Sequence, residues 1–284
     1  MVALTMAWGL QQVAVKVAAP TIPLSVQATI RSAAAMLLVI AWSRWRGVRL
    51  LDRREIGPGI LAGLLFGGEF AMIYLGLGRT TAARMVVLLY VAPALTALGV
   101  AAFVPGERLA PRQWLGIGVA FGGTAFAFAD GFAAPGRPTL AGDAMAIAAA
   151  VLWSATTVLI RATVLARAQA ARVLNYQLAV SAVMLGAVSL ALGESWSLAP
   201  APVAWMSLAY QIVLVAFASY LAWFWLLTRY LAAPLAVFTF ATPLFGVAFA
   251  HLLLGETIGA RFALAAAMVA AGIALVNAGA PAKR

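Results

Sequence analysis

The 284-residue sequence contains no cysteine and a single histidine. Without cysteine the chain cannot form disulfides, thiolate nucleophiles or cysteine-based zinc and iron–sulfur sites, and one histidine leaves few ligands for zinc or haem. Charged residues make up 10% of the chain, and its eight acidic residues are scattered rather than clustered for acid–base chemistry. The composition therefore predicts no catalytic centre, no metal site and no cofactor, so we do not expect an enzyme.

Apolar residues make up 65% of the chain, which leaves too little polar surface for a water-soluble globule. A helix that crosses the roughly 30 Å hydrocarbon core needs about 20 apolar residues. Apolar runs interrupted by arginine, proline, glycine and aspartate predict an all-α integral membrane protein with ten transmembrane helices. The predicted spans are 2–19, 26–45, 57–78, 82–104, 111–129, 141–161, 172–192, 203–227, 234–254 and 260–279.

The basic residues orient these predicted spans. If the N-terminus is cytoplasmic, thirteen basic residues fall in cytoplasmic regions, four fall on the other side, and Lys16 and Arg31 fall inside spans. Basic loops resist translocation, so we expect both termini in the cytoplasm. The net charge of +11 is then a consequence of topology, and no nucleic-acid partner is expected. The thirteen are Arg44, Arg46, Arg49, Arg53, Arg54, Arg108, Arg112, Arg161, Arg167, Arg172, Arg229, Lys283 and Arg284, and the four are Arg79, Arg84, Arg137 and Arg261.

The second half of the sequence repeats features of the first half in the same order. In the first half these are Trp8, Gln12, Lys16, Arg79, Ala82, Pro93, Gly106 and Glu107, and in the second half Trp153, Thr157, Arg161, Arg229, Ala232, Pro243, Gly255 and Glu256. Each half holds five predicted spans, and an odd number makes the halves enter the membrane from opposite sides. We therefore predict two inverted five-helix repeats, residues 1–130 and 141–284, a construction typical of transporters with a central substrate site.

Several motifs in this order resemble the EamA-type module of the drug/metabolite transporter superfamily. They are Trp8-Gly9 with Lys16, Pro20, Pro23 and Arg31; Ala92-Pro93-Ala94-Leu95, Gly106-Glu107-Arg108-Leu109 and Gln113-Trp114-Leu115-Gly116; and, in the second half, Thr242-Pro243-Leu244-Phe245 and Gly255-Glu256-Thr257. The resemblance implies ten spans in inverted repeats and export of small metabolites, with bacterial amino-acid exporters as well-known members. The second half departs from the pattern at Ser154 and Arg161, so a lysine-specific role there is not implied.

Ionisable residues inside a membrane are costly and need a reason. Glu69 lies near the middle of the third predicted span and cannot reach the headgroups. We interpret it as a residue that faces an aqueous cavity, where it binds a substrate ammonium or carries a proton; the alternative is a protonated glutamate hydrogen-bonded to a neighbouring helix. Lys16 and Arg31 lie close to the outer face, so they either reach the headgroups or line the outer mouth and attract a carboxylate.

Aromatic residues in mid-span positions complete the predicted site. Tyr220 and Trp223 share a face of the eighth span, Tyr90 lies one turn before Pro93, and Trp8 and Trp153 are repeat counterparts. Together with Gln12, on the same stripe as Trp8, they would form an aromatic wall with a few polar tips, suited to apolar and aromatic amino acids; ordinary packing is the alternative.

Two prolines occupy corresponding places in the halves. Pro93 and Pro243 remove backbone hydrogen bonds within the fourth and ninth spans and predict kinks, which either hinge the protein during transport or statically shape helix packing. Gly118 and Gly122 form a small-residue face that fits internal packing or a dimer seam, so both monomer and homodimer stay open.

We therefore predict a bacterial inner-membrane exporter of small metabolites, above all amino acids, that works by alternating access through a central cavity. The chain has no phosphate-binding glycine-rich loop for ATP, so transport would follow a substrate or ion gradient, and both proton coupling and facilitated diffusion stay open. The alternatives are a transporter of drugs, nucleotide sugars or phosphorylated sugars, or a passive channel.

Overall fold

The computed structural model describes residues 1–77, 79–80, 82–106, 109–129, 140–196, 201–255 and 261–278, with no strand among them. The α-helices are α1 (Val2–Ala18), α2 (Leu24–Trp45), α3 (Ile56–Leu77), α4 (Ala82–Leu89), α5 (Ala92–Phe103), α6 (Pro111–Ala127), α7 (Leu140–Ala162), α8 (Ala170–Ala191), α9 (Pro202–Tyr210), α10 (Tyr220–Arg229), α11 (Ala232–Val237), α12 (Ala241–Leu254) and α13 (Arg261–Asn277). A π-helix, Gln211–Ser219, joins α9 to α10, and short 3₁₀ turns occur at Val164–Arg167 and Phe238–Phe240.

Each of the ten predicted segments is helical in the described part of the chain, which confirms an all-helical fold. Seven helical stretches are long and apolar enough to cross a membrane: Leu24–Trp45, Ile56–Leu77, Arg84–Phe103, Leu140–Ala162, Ala170–Ala191, Pro202–Arg229 and Ala232–Leu253. The helices α1, α6 and α13 have 17 residues each and are shorter. The number of ten crossings therefore stays a prediction.

Helices of the first half pack mainly on helices of the second half. The helix α3 packs between α7 and α8, α2 lies on α8, α1 lies on α12 and α9, α5 lies on α7, and α6 pairs with α13. Contacts between neighbours in sequence, such as α2 with α3, are sparse by comparison. The buried core is consequently shared by both halves, and any chamber inside it is lined from both.

A glycine stripe on α3 explains how closely α3 approaches α8. A methyl group built on Gly59 would lie 2.5 Å from the Tyr176 ring, and one on Gly63 would lie 2.6 Å from Val180 Cβ. One turn further, a methyl group on Gly67 would lie 3.0 Å from Met184 Sδ. Small residues every fourth position let two helix backbones approach within a membrane. The stripe also shows that α3 and α8 run in the same direction.

Polar clusters hold α3 at both of its ends. At its start, the Arg172 guanidinium on α8 lies 3.2 Å from Asp52 Oδ2 and 3.3 Å from Glu55 Oε2. Burial raises the pKa of the Glu55 carboxyl, and the charge of Arg172 opposes that rise. Beyond its end, Thr80 donates a hydrogen bond to Asp143 on α7 (2.8 Å), and Arg84 forms an ion pair with the same carboxylate. The cavity described below lies between these two clusters.

Both predicted proline positions coincide with breaks in the helical spans. The helix α4 ends at Leu89, a turn follows at Tyr90, and Pro93 lies in the first turn of α5. In the second half α11 ends at Val237, a 3₁₀ turn follows, and Pro243 lies in the first turn of α12. A proline at the start of a helix costs no intrahelical hydrogen bond, so the chain bends there without losing one.

Candidate functional site

A central cavity of about 160 Å³ lies where helices of both halves meet. It is smaller than the roughly 300–1,000 Å³ typical of sites for drug-sized ligands, so it suits a small metabolite. Eight aromatic rings and a few polar side chains line it. The lining residues are Trp8, Gln11, Phe66, Glu69, Phe70, Ile73, Leu89, Tyr90, Trp153, Thr156, Thr157, Ile160, Gln177, Tyr220, Trp223, Phe224, Thr239 and Thr242.

Six of the nine predicted substrate-binding residues lie on the wall of this one cavity. They come from five helices or turns that are distant in the sequence: Trp8 from α1, Glu69 from α3, Tyr90 from the break after α4, Trp153 from α7, and Tyr220 and Trp223 from α10. The predicted repeat counterparts Trp8 and Trp153 are both among them. The sequence interpretation therefore identified residues that the fold brings together.

One aromatic wall is built around Trp8. Its ring packs edge-on against Trp223, with centroids 5.7 Å apart, and against Tyr220 at 6.4 Å. The indole N–H donates a 2.8 Å hydrogen bond to the Ser219 hydroxyl at the end of the π-helix. Because its polar edge is satisfied by the protein, Trp8 presents an apolar face to the cavity.

A second aromatic wall is built around Tyr90. Its ring packs edge-on against Trp153 with centroids 5.7 Å apart and lies 6.3 Å from Phe240. Tyr90 is 6% exposed, so the turn that separates α4 from α5 places its side chain inside the protein rather than toward lipid. The proline that follows explains why the helix is interrupted at this point.

Glu69 is the one acidic side chain on the described cavity wall, and no lysine or arginine lies on that wall. The side chain is 8% exposed and forms no hydrogen bond or ion pair with any described residue. A buried carboxylate that forms no hydrogen bond is costly and needs a ligand, a proton or water. No group of three or more His, Cys, Asp or Glu in the described part of the chain is arranged to hold a metal ion.

Arg31 does not reach the membrane surface. It is 1% exposed, and none of its three guanidinium nitrogens has a hydrogen-bond partner among the described residues. Its guanidinium carbon lies 4.5 Å from the ring centroid of Phe70, a residue of the cavity wall. Arg31 is therefore separated from the cavity by Phe70, within electrostatic reach of Glu69, and the interpretation that it extends to the headgroups is wrong.

The two other predicted binding residues do not contribute described side chains to the wall. Lys16 is exposed near the end of α1 and lies away from the cavity. The side chain of Gln12 lies outside the described part of the structure, as do the motif residues Glu107 and Glu256. The neighbouring Gln11 lies on the wall. On a helix, the residues three and four positions after Trp8 both lie on the same face as Trp8, so Gln11 shares the face that was expected for Gln12.

Sequence reasoning missed the most deeply buried polar residue of the wall, Gln177 on α8. It is 0% exposed, and neither atom of its amide has a hydrogen-bond partner among the described residues. Thr242 also lines the cavity, next to Pro243, and is 3% exposed. A signal was available, since Gln177 is a polar residue inside a predicted span, but periodicity alone did not show which way it faces.

Comparisons with known proteins place the chain among transporters. A sequence profile described as the EamA-like transporter family matches residues 1–129 and 140–278. A solved structure titled only "Crystal structure of protein" has 21% sequence identity to the chain and a TM-score of 0.86, covering 97% of this chain and 94% of its own. That likeness concerns the fold. No curated protein matches the sequence.

Proposed function

Because the chain belongs to the EamA-like transporter family of membrane proteins, we propose that it exports small metabolites, amino acids foremost, by alternating access through the central cavity. Family membership implies a small-molecule substrate and contact with the lipid bilayer. The observation that carries the more specific proposal is Glu69, a carboxylate on the cavity wall that forms no hydrogen bond or ion pair with a described residue.

In this proposal Glu69 binds the ammonium group of the solute. A carboxylate in a cavity of low dielectric attracts a cation much more strongly than it would in water. Aromatic rings beside it, such as Phe66 and Tyr220, would stabilise the same cation through their faces and pack against an apolar side chain. Phosphorylated sugars and nucleotide sugars fit poorly, because the described wall offers no basic side chain to a phosphate.

The proposal includes two inverted repeats, residues 1–130 and 141–284, with both termini in the cytoplasm of a bacterium. Reciprocal packing supports the repeats. The second helices of the halves, α2 and α8, pack on each other, as do the last helices, α6 and α13. The first helix of each half packs on the fourth span of the other half: α1 contacts α12, and α7 contacts α5. The first helix of each half also packs on the third span of the other half: α1 contacts α9, and α7 contacts α3. Such reciprocity is what a two-fold relation between halves requires.

Alternating access would then be movement of the two halves around the cavity. The breaks before Pro93 and Pro243 lie on the cavity wall, because Tyr90 and Thr242 both line it. Helix breaks at such places allow the flanking segments to change their angle with little loss of hydrogen bonding. We propose Pro93 and Pro243 as hinges on this basis, with a solute or proton gradient as the driving force and a monomer or homodimer as the working unit.

A counterflow screen tests the proposed function directly. Purified protein in liposomes is preloaded with one unlabelled solute class at a time and assayed for uptake of labelled amino acids, sugars and nucleotides, with and without a pH gradient. We expect counterflow of amino acids and none of nucleotides. Counterflow restricted to sugars or nucleotides, or to none of these solutes, would contradict the proposal, and acceleration by the pH gradient would identify proton coupling.

The aromatic wall should govern which amino acids are carried. We expect Trp8→Ala and Tyr220→Ala to shift preference away from aromatic side chains by about tenfold, since each substitution removes an aromatic contact and enlarges the cavity. The measurement is competition of unlabelled amino acids against one labelled substrate. As a control, Trp205→Ala removes a tryptophan that is 45% exposed and lies off the cavity wall. Identical competition profiles in all variants would show that both residues act only in packing.

A further inference from the structure

The segment 44–54, which leads from the end of α2 towards α3, contains five of the nineteen basic residues of the chain. All five are exposed arginines, and none of their guanidinium groups forms a hydrogen bond or an ion pair with a described residue. Membrane topology requires basic residues on one side of the bilayer, but it does not require them to be gathered in one loop. The five are Arg44, Arg46, Arg49, Arg53 and Arg54.

The acidic residues of this region do not neutralise the five arginines. Asp52 and Glu55 both form ion pairs with Arg172 on α8, at 3.2 Å and 3.3 Å. The other carboxylate oxygen of Asp52 accepts a hydrogen bond from the backbone N–H of Arg54 at 3.0 Å, not from its guanidinium group. The exposed face of the segment is therefore strongly positive and complements an anion.

The backbone of the segment has a defined shape. After α2 the chain turns at Gly47, which has a φ of +66°, and the Val48 N–H donates to the Ser43 carbonyl at 2.8 Å. This hydrogen bond closes the end of the helix. Further on, Val48 and Leu50 pack against the buried core, so Arg49 between them is exposed on the opposite side. The arginines are thus presented by an anchored loop.

Two tryptophans indicate that this surface lies at the depth of the lipid headgroups. Trp42 and Trp45 lie in the last turn of α2, a helix long and apolar enough to cross a membrane, and Trp45 is 78% exposed. Tryptophan is enriched at the boundary between hydrocarbon and water. The guanidinium carbon of Arg46 lies 5.9 Å from the ring centroid of Trp42 and 5.6 Å from that of Trp45. The two rings therefore hold the charge of Arg46 at the same depth.

We infer that the segment 44–54 is a binding site for the headgroup of an anionic phospholipid, with Arg46 and Arg49 as central ligands. A guanidinium group can donate two parallel hydrogen bonds to phosphate oxygens, and four to eight basic residues beside a transmembrane helix attract anionic lipids. Cardiolipin carries two phosphates and can engage two arginines at once, so it should bind more tightly than phosphatidylglycerol. The site is separate from the transport cavity, because none of its residues lines that cavity.

Thermal unfolding of the purified protein in one detergent tests this site, with cardiolipin, phosphatidylglycerol, phosphatidylcholine or inorganic phosphate added. Cardiolipin should raise the unfolding temperature at the lowest concentration, phosphatidylglycerol at a higher one, and the other two should have no effect. The double substitution Arg46→Gln and Arg49→Gln should raise the half-maximal cardiolipin concentration about 20-fold, since each basic residue near an anionic surface contributes about fivefold. Both residues are exposed, so unfolding without lipid should not change.

Arg229→Gln is the matched control. Arg229 is also exposed and lies 5.5 Å from the ring centroid of Trp225, but no other basic residue occurs within ten positions of it in the sequence. This variant should keep the cardiolipin response within about twofold. Native mass spectrometry counts the bound lipid directly, so the variants can be compared even if a substitution changes the unfolding temperature.

Four results would overturn the inference. No response to cardiolipin would show that the lipid does not bind, and an equal response to phosphatidylcholine would show a general effect of lipid. An equal response to inorganic phosphate would identify a site for free anions. An unchanged cardiolipin response and lipid count in the double variant would place the lipid elsewhere on the protein. None of these results depends on which solute is transported, so they leave the proposed function untouched.

Discussion

Replacement of Glu69 by glutamine should abolish most transport of amine-bearing solutes while the protein still inserts and folds. A charge-assisted hydrogen bond from an ammonium to a buried carboxylate is worth about 2–3 kcal/mol, which corresponds to about a 30- to 140-fold loss of apparent affinity. Glutamine keeps the shape and removes the charge. Counterflow of a labelled amino acid at several concentrations measures the affinity, and thermal unfolding in detergent measures the fold.

A matched control is available in Glu194, which follows the end of α8 and does not line the cavity. Glu194→Gln makes the same chemical change off the cavity wall and should leave counterflow within about twofold. Glu69→Asp should keep part of the activity, because the charge remains on a shorter side chain. Unchanged counterflow in Glu69→Gln would remove this residue from solute binding, and an equal loss in Glu194→Gln would indicate a general effect of acidic residues.

The amino-acid sequence alone predicted much of this architecture because the bilayer limits it to few solutions. Apolar runs of span length have to be helices, and the ends of several predicted helices lie within about two residues of those observed, as for Leu24–Trp45 and Pro111–Ala127. Glu69 was identifiable because a charge in the middle of an apolar run has few explanations. Tyr90 was identifiable from its place next to Pro93, where a span breaks.

The sequence did not show in which direction the polar side chains of a span point. A polar residue inside a span can face lipid, a neighbouring helix or a cavity, and the choice depends on which helices pack against it. Gln177 lies on the cavity because the glycine stripe of α3 fixes the rotation of α8. Arg31 is buried against Phe70 for a related reason: α2 packs on α8 in the opposite half of the chain, a contact that no local pattern reveals.

The close packing of α6 on α13 leads to the second prediction of a large effect, which concerns the free energy of unfolding. A methyl group built on Gly116 would lie 2.7 Å from Val276 Cγ2 and 2.8 Å from the Gly272 carbonyl oxygen. The carbonyl belongs to the backbone of α13 and cannot turn aside as a side chain could. The contact is further fixed by the hydrogen bond from the Gln113 amide to the Val276 carbonyl, one turn away.

Gly116→Ala should therefore force the two helices apart and lower the free energy of unfolding by about 1–3 kcal/mol, as overpacking does in a tight interior. Gly118→Ala is the matched control on the same helix, since a methyl group there meets no atom of the described residues within 4 Å. It should be neutral or stabilise α6 by up to about 1 kcal/mol through helix propensity. Midpoints of thermal unfolding in one detergent compare the two variants. A lower midpoint for Gly118→Ala than for Gly116→Ala would contradict the packing described here and would assign the Gly118 face, rather than the Gly116 face, to a protein contact such as the dimer seam.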